Sequence, residues 1–403
     1  MVLLTLALAA ILIGQWRLAI ALGPPQPIGD EGHYLRRASH VDPHHSKLFI
    51  RVPLFVACFV WAHKLTGKPE TVSWLFLAAG LTAALGSAVA AHLAGLNAVW
   101  VAAAFLLAPE LLIFNLRYWP EPMLALASGM ITILLWQFSY VHGLFIGLIA
   151  AAAVMIRFEQ LVLIPAVGIA WIWAGADKSL WDWTGLVVPA SVCLGLWTLR
   201  NWRRYRLAWP DTTWQFNLAI AHRESRQMLL SPVNIQQTVL AEMRDRLADK
   251  ADGAQAVPQC IPWDPGFLKM PLRWLAVLGR ETFISERLLP PSGQGFPSAE
   301  WDELRRRWVR YGFTLLACIS VCIGLLTMRF EPYLTPSLAL FVAIASFHVR
   351  TRYRAILQPG LALWFADGIS HIDFGQSWVP WLSLLFAVML AIKLGSVTLR
   401  VEH

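Results

Sequence analysis

The sequence predicts an all-α polytopic membrane protein. Three observations carry that prediction. Hydrophobic residues make up 57% of the 403-residue chain and charged residues only 14%, whereas soluble domains carry about 25% charged residues. Apolar runs approaching or exceeding the roughly 20 helical residues that cross a hydrocarbon core recur along the whole chain. None shows the short alternating pattern of a membrane β-barrel, so backbone groups inside lipid must be satisfied within helices.

In order, the apolar segments fall at 1–22, 48–65, 73–94, 97–115, 121–138, 142–156, 160–174, 183–198, 309–328, 332–348, 355–369 and 378–397. The first contains a small-x-small "AIALG" near its end, but it lacks a basic leader and is interrupted by Arg17. It reads as a retained helix rather than a cleaved signal. The second is short. Arg51 and Pro53 break it upstream, and His63 and Lys64 end it, a pattern that fits a helix lying in the interface. If it does not cross, Asp30, Glu121, Arg157, the 199–308 region and the arginines at 350–354 share one membrane face. About 11 transmembrane helices then remain.

The chain divides into an N-terminal transmembrane module, 1–198, with a first external loop at 23–72; an external helical and loop region, 199–308; and C-terminal transmembrane helices, 309–403. The five cysteines lack disulfide or zinc spacing. The net charge of +8 comes from basic residues near the membrane, and no aromatic nucleic-acid signature accompanies it. Anionic lipid is the expected partner, and nucleic acid is not. The 21 tryptophans fit interfacial belts.

Five polar motifs punctuate the apolar runs. "GDEGHY" places Asp30 and Glu31 after the first helix, and "RYWPEP" places Glu121 where one run ends and the next begins. "MIRFEQ" supplies Arg157 and Glu159, "LWTLRNWRRYR" supplies Arg200 and Asn201, and "HVRTRYRAILQP" supplies Arg350, Arg352, Tyr353 and Arg354. Any one of these reads as a solvated cap or a snorkelling anchor. Together on one face, arginines and carboxylates suit a site that holds a phosphate and moves a proton.

The ordered set resembles the membrane glycosyltransferases of the GT-C fold, in particular the bacterial protein O-mannosyltransferase-like enzymes and the lipid A aminoarabinose transferases. The family's Asp-Glu-x-x-Tyr motif reads here Asp30-Glu31-Gly32-His33-Tyr34. Its second external acid is matched by Glu121, its basic residue after the fifth span by Arg157, and its Arg-Asn pair by Arg200-Asn201. Its late Arg-Tyr is matched in "RYRAILQP". Many relatives have Asp where Glu121 stands, and "VDPHHSK" replaces their His-Pro-Pro-like stretch.

The resemblance implies an inverting transferase in a bacterial inner membrane, with its site facing the exterior. A sugar would pass from a polyprenyl-phosphate donor to a glycan, lipid or protein acceptor. Asp30 is the expected base, with Glu31 orienting it or contacting the sugar and Glu121 supporting. Arg157 is the expected phosphate contact, with Arg200, Asn201, Arg352, Tyr353, Arg354 and Tyr34 as further donor-binding residues. A divalent metal is left open, with His33, His44 and His45 as candidate ligands.

Three rivals stand beside this reading, one of them a different GT-C member of arabinosyl or oligosaccharyl type, which the sequence does not separate from it. A lipid-linked-sugar transporter or flippase needs paired mid-span charges or discontinuous helices, and mid-span charges are scarce in the sequence. A non-catalytic membrane scaffold would be indifferent to Asp30→Asn. The expected orientation also runs against the positive-inside rule. The short loops opposite the motifs hold little beyond Lys178 and Arg329, although long loops escape that rule.

Overall fold

The computed structural model describes residues 1–22, 27, 30–38, 51–137, 142–206, 208–211, 213, 217, 220, 241, 299–327, 331–347, 351–372 and 379–396. Every regular element among them is helical. The N-terminal part comprises α1 (Val2–Leu22), α2 (Asp30–Arg37), α3 (Leu54–Thr66), α4 (Val72–Leu93), α5 (Ala98–Leu107), α6 (Glu110–Phe114), α7 (Glu121–Gln137), α8 (Gly143–Ile156), α9 (Leu163–Trp173) and α10 (Leu180–Tyr205). The C-terminal part comprises α11 (Ala299–Thr327), α12 (Thr335–Phe347), α13 (Gln358–Ser370) and α14 (Val379–Ser396). Short 3₁₀ turns at Pro69–Thr71, Phe158–Val162, Pro332–Leu334 and Thr351–Leu357 lead into α4, α9, α12 and α13.

Among the described residues, Val2–Ile20, Pro69–Leu93 and Leu180–Tyr205 are long and apolar enough to cross a membrane, and several shorter apolar helices accompany them. One continuous core joins α1 and α4–α9 to Phe313 and Leu316 of α11 and to Leu363 and Phe365 of α13. Large apolar side chains such as Leu12, Trp74, Leu148, Val192 and Leu385 are exposed on the outside of this bundle. A water-soluble surface would not carry so many, and the chain is an all-α protein of membrane character.

Local sequence sets the helix ends. Asn97 caps α5 by accepting the Val99 N–H at 3.0 Å. Ser179 and Asp182 form a reciprocal capping box that starts α10, satisfying donors that the first turn leaves open. The α10 helix continues through "RNWRRY" to Tyr205, past the apolar run that ends near residue 198.

Close packing between α8 and α10 depends on glycine. A Cβ at Gly147 would lie 2.1 Å from the Gly185 carbonyl oxygen, so only bare backbone allows this approach, as small residues do between helices in lipid. The α3 helix behaves differently. Its 13 residues span about 20 Å at 1.5 Å per residue, short of a hydrocarbon core of about 30 Å. Phe55 and Phe59 pack on Tyr34 of α2 and on Phe76 in the opening turns of α4. α3 therefore sits across the end of α4 and does not run down its length.

The apolar segment 97–115 is not one helix. It breaks at Ala108–Pro109 into α5 and α6, because proline cannot continue the hydrogen-bond ladder. The side-chain amide of Gln358 fills the gap. Its Nε2 donates to the Ala108 carbonyl, and its Oε1 accepts the Leu111 N–H at 2.9 Å. Gln15 donates to the Leu112 carbonyl at 2.9 Å and accepts from Asn115 at 2.7 Å. Backbone left open by the break is thus satisfied from α1 and α13, as irregular backbone buried among helices requires.

Candidate functional site

The loop from α6 to α7, "NLRYWP", is where the first external motif docks. Glu31 is completely buried there. Arg117 donates from Nε to Glu31 Oε1 at 3.1 Å and from Nη2 to Oε2, and the Tyr118 N–H donates to Oε1 at 3.1 Å. This is a two-pronged, charge-assisted pair of the strong kind. It uses both Glu31 oxygens to latch α2 onto the 115–120 loop. Burial first, then the Glu70 and Glu31 carboxylates, raises the Tyr118 phenol above its usual range.

Beside that latch, Glu121 opens α7 and is fully buried. An acid in the first turn is favoured by the helix dipole. Arg157 interrupts the chain between α8 and the Phe158–Val162 turn in extended conformation, φ −150°. The interruption projects its side chain between two acids. Nη1 is 3.8 Å from Glu121 Oε1, and Nη2 is 3.5 Å from Glu159 Oε1. Both contacts are longer than the 2.7–2.9 Å of a tight charge-assisted bond. Arg117 by contrast grips Glu31 in a tight pair.

A fourth acid completes this end of the bundle. Asp211 is buried and accepts the N–H of Val52 at 3.2 Å and of Thr213 at 2.6 Å. It thereby ties the residues after α10 to the start of α3. Burial above all, and then the Glu159 carboxylate, pushes its pKa up to about 6 against the opposing effects of Arg51 and the two backbone donors. Asn201 holds the same turn by donating to the Trp209 carbonyl at 2.9 Å, and the Trp197 indole donates to the Pro210 carbonyl at 3.0 Å. Arg200 donates to Asn201 Oδ1 at 3.1 Å, and its guanidinium lies 4.4 Å over the Trp197 ring.

Two other expected residues have partners of their own. Tyr34 belongs to the aromatic cluster with Phe55 and Phe59, with the Arg51 guanidinium 5.4 Å over its ring. Arg354 is fully buried beside the α5–α6 break, 2.5 Å from Glu110 Oε1 and 4.8 Å over the Phe313 ring. Its guanidinium is used inside the bundle. Asp30 begins α2, and Arg352 and Tyr353 lie in the Thr351–Leu357 turn; their side chains, and that of His33, lie outside the described set. His44, His45 and Arg350 lie outside the described residues altogether, as does most of 221–298. Among the described residues, no three His, Cys, Asp or Glu side chains gather as a metal site would need.

Arg117, Asp211 and Glu110 were not singled out from the sequence. Arg117 stands within "LRYWPEP", and Glu110 follows a proline inside an apolar run, so both carried a readable signal. Asp211 follows Trp-Pro at the start of a polar region, and only its fold partners distinguish it. No protein-family model, curated protein or solved structure matches the chain.

Proposed function

We propose that the chain is a membrane glycosyltransferase that uses a polyprenyl-phosphate-linked sugar. It would have about 11 spanning helices and a site on the exterior face of a bacterial inner membrane. The observation that carries this reading is the placement of Arg157 between Glu121 and Glu159 at the end of the bundle where the Asp30 helix is latched. Arg157 then offers its guanidinium to the donor phosphate, whose negative charge grows as the bond to the sugar breaks. Asp30 accepts the acceptor hydroxyl's proton as its oxygen attacks the anomeric carbon. Glu121 steers Arg157, Glu31 holds α2 in place, and Asn201 shapes the turn that brings Asp211 to α3. Arg354 is not counted among the phosphate contacts, because Glu110 engages it.

The acceptor is not specified by this reading, so binding is tested before turnover. Undecaprenyl phosphate, the spent carrier, is added to the purified protein and retention is followed by native mass spectrometry. Wild type and Asp30→Asn should retain it, and Arg157→Ala should lose it. Equal retention by Arg157→Ala, or no selective retention by wild type, would sink the assignment.

A second reading has one observation in its favour. The α5–α6 break beside the buried Glu110–Arg354 pair is the kind of discontinuous helix found in transporters. Lipid-linked sugar crossing a reconstituted bilayer without transfer to any acceptor would favour that reading over the transferase.

A further inference from the structure

The outward side of α10 carries a second basic feature, which the sugar-transfer reading does not use and on which this inference does not depend. α10 packs on α8 through its glycine contact, and Val188, Val192, Leu196 and Leu199 along its length remain exposed. Tryptophan marks both ends of that apolar stripe: Trp181 is 84% exposed and Trp202 46%. At 1.5 Å per residue, the rise from Trp181 to Trp202 is about 32 Å. That matches a hydrocarbon core of about 30 Å with an indole at each interface.

Immediately beyond Trp202, Arg203, Arg204 and Arg206 are exposed, at the level where headgroup phosphates lie. Their aromatic neighbours steer two of them. The Arg206 guanidinium lies 5.8 Å over the Trp202 ring, and the Arg204 guanidinium 5.5 Å over Tyr205. The backbone adds an independent sign. Arg206 is the C-cap of α10 in the left-handed region, φ 58°, with its N–H donating to the Trp202 carbonyl at 2.9 Å. Glycine is the unstrained residue there. The chain instead places a guanidinium at that position, and retained strain of this kind points to a use. The other end of α10 is mixed in charge, with Asp177, Lys178 and Asp182.

We propose that Arg203, Arg204 and Arg206, with Trp202, form a docking site for the headgroup phosphate of an anionic phospholipid in the leaflet at the candidate-site end. The occupant is a lipid rather than a soluble phosphate because Arg203, four residues after Leu199 and seven after Leu196, continues the lipid-facing stripe, and exposed Arg204 and Arg206 follow within the same turn. A single ligand then lays its acyl chains along Val192, Leu196 and Leu199 and its phosphate on the guanidinium groups. The site also gives the basic excess at this end a purpose other than topology.

The test compares retention of phosphatidylglycerol and phosphatidylcholine on the full-length protein by native mass spectrometry. Wild type should prefer phosphatidylglycerol. Each basic residue near an anionic surface contributes about five-fold. The combined Arg203→Gln, Arg204→Gln and Arg206→Gln variant should therefore lower the preference at least about ten-fold, with phosphatidylcholine retention falling far less. If the triple variant does not fold, Arg206→Gly, which suits the left-handed backbone, should still lower the preference measurably. The proposal is overturned if wild type holds the two lipids equally, or if the variants keep the full preference. It is also overturned if excess inorganic phosphate strips the lipid. Loss in Arg157→Ala instead would place the phosphate at the inner site and overturn it as well.

Discussion

Replacing Arg117 with methionine is expected to expose what the latch on the first external motif is worth. Glu31 has no solvent exposure, and Arg117 supplies donors to both of its oxygens. Removing the guanidinium leaves a buried carboxylate without its counter-charge, which typically costs about 3–5 kcal/mol. Glu31→Gln alone leaves a nearly buried arginine facing a neutral amide and should cost a comparable amount. The double variant removes both charges at once, so its loss should fall well short of the sum, by about 2 kcal/mol or more. Reversible unfolding in mixed detergent micelles, followed by circular dichroism, gives the three free-energy differences of the cycle. Independent sites add to within about 0.5 kcal/mol. Additivity at that level would refute the latch, and with it the argument that Glu31 serves by holding α2 rather than by touching substrate.

Two further outcomes follow from the packing and the acids. Asp211 has a folded pKa near 6 against an ordinary value of 3.8. Its stability contribution is therefore full below about pH 4 and is lost as pH rises through 6. Thermal midpoints of Asp211→Asn should fall less than those of wild type between those limits, and parallel curves would exclude the carboxyl as the source. Gly147→Ala should force α8 off α10 and lower the yield of monodisperse protein severely, because its Cβ would meet the Gly185 carbonyl at 2.1 Å. Gly195→Ala in α10, with nothing within 4 Å of its Cβ, should be tolerated. Equal behaviour of the two variants would count against the close helix contact.

The apolar runs announced most of the helices, because in lipid a run of that length has few other ways to satisfy its backbone. Ends set by local chemistry were also within reach of the sequence. Ser179 and Asp182 spell a capping box three residues apart, and Arg51–Pro53 marks the start of the short α3. The interior of the 97–115 segment was harder to read. Pro109 and Glu110 are visible, but what makes a break there stable is Gln358 and Arg354, far along the chain. The candidate site divides in the same way. Residues at chain interruptions, Glu121 and Arg157, could be named from the sequence because the interruption itself is the signal. The engagement of Glu31 by Arg117 and of Arg354 by Glu110 could not, since each pairs groups on separate elements. Residue type alone does not distinguish an arginine held in a tight pair from one poised between two acids.

The filled helix break has a consequence for synthesis. Gln358 and Arg354 lie 250 and 244 residues after the groups they satisfy. At 5–20 residues per second, the ribosome needs roughly 12–50 seconds to make that stretch. Throughout that interval the Ala108 carbonyl and the Glu110 carboxylate must shelter against α1, the insertion machinery or water. The first half of the bundle is thus inserted as an unfinished object, and the arrival of α13 closes it. A ribosome that stalls before residue 354 leaves a chain whose defect is already in the membrane, where quality control can recognise it.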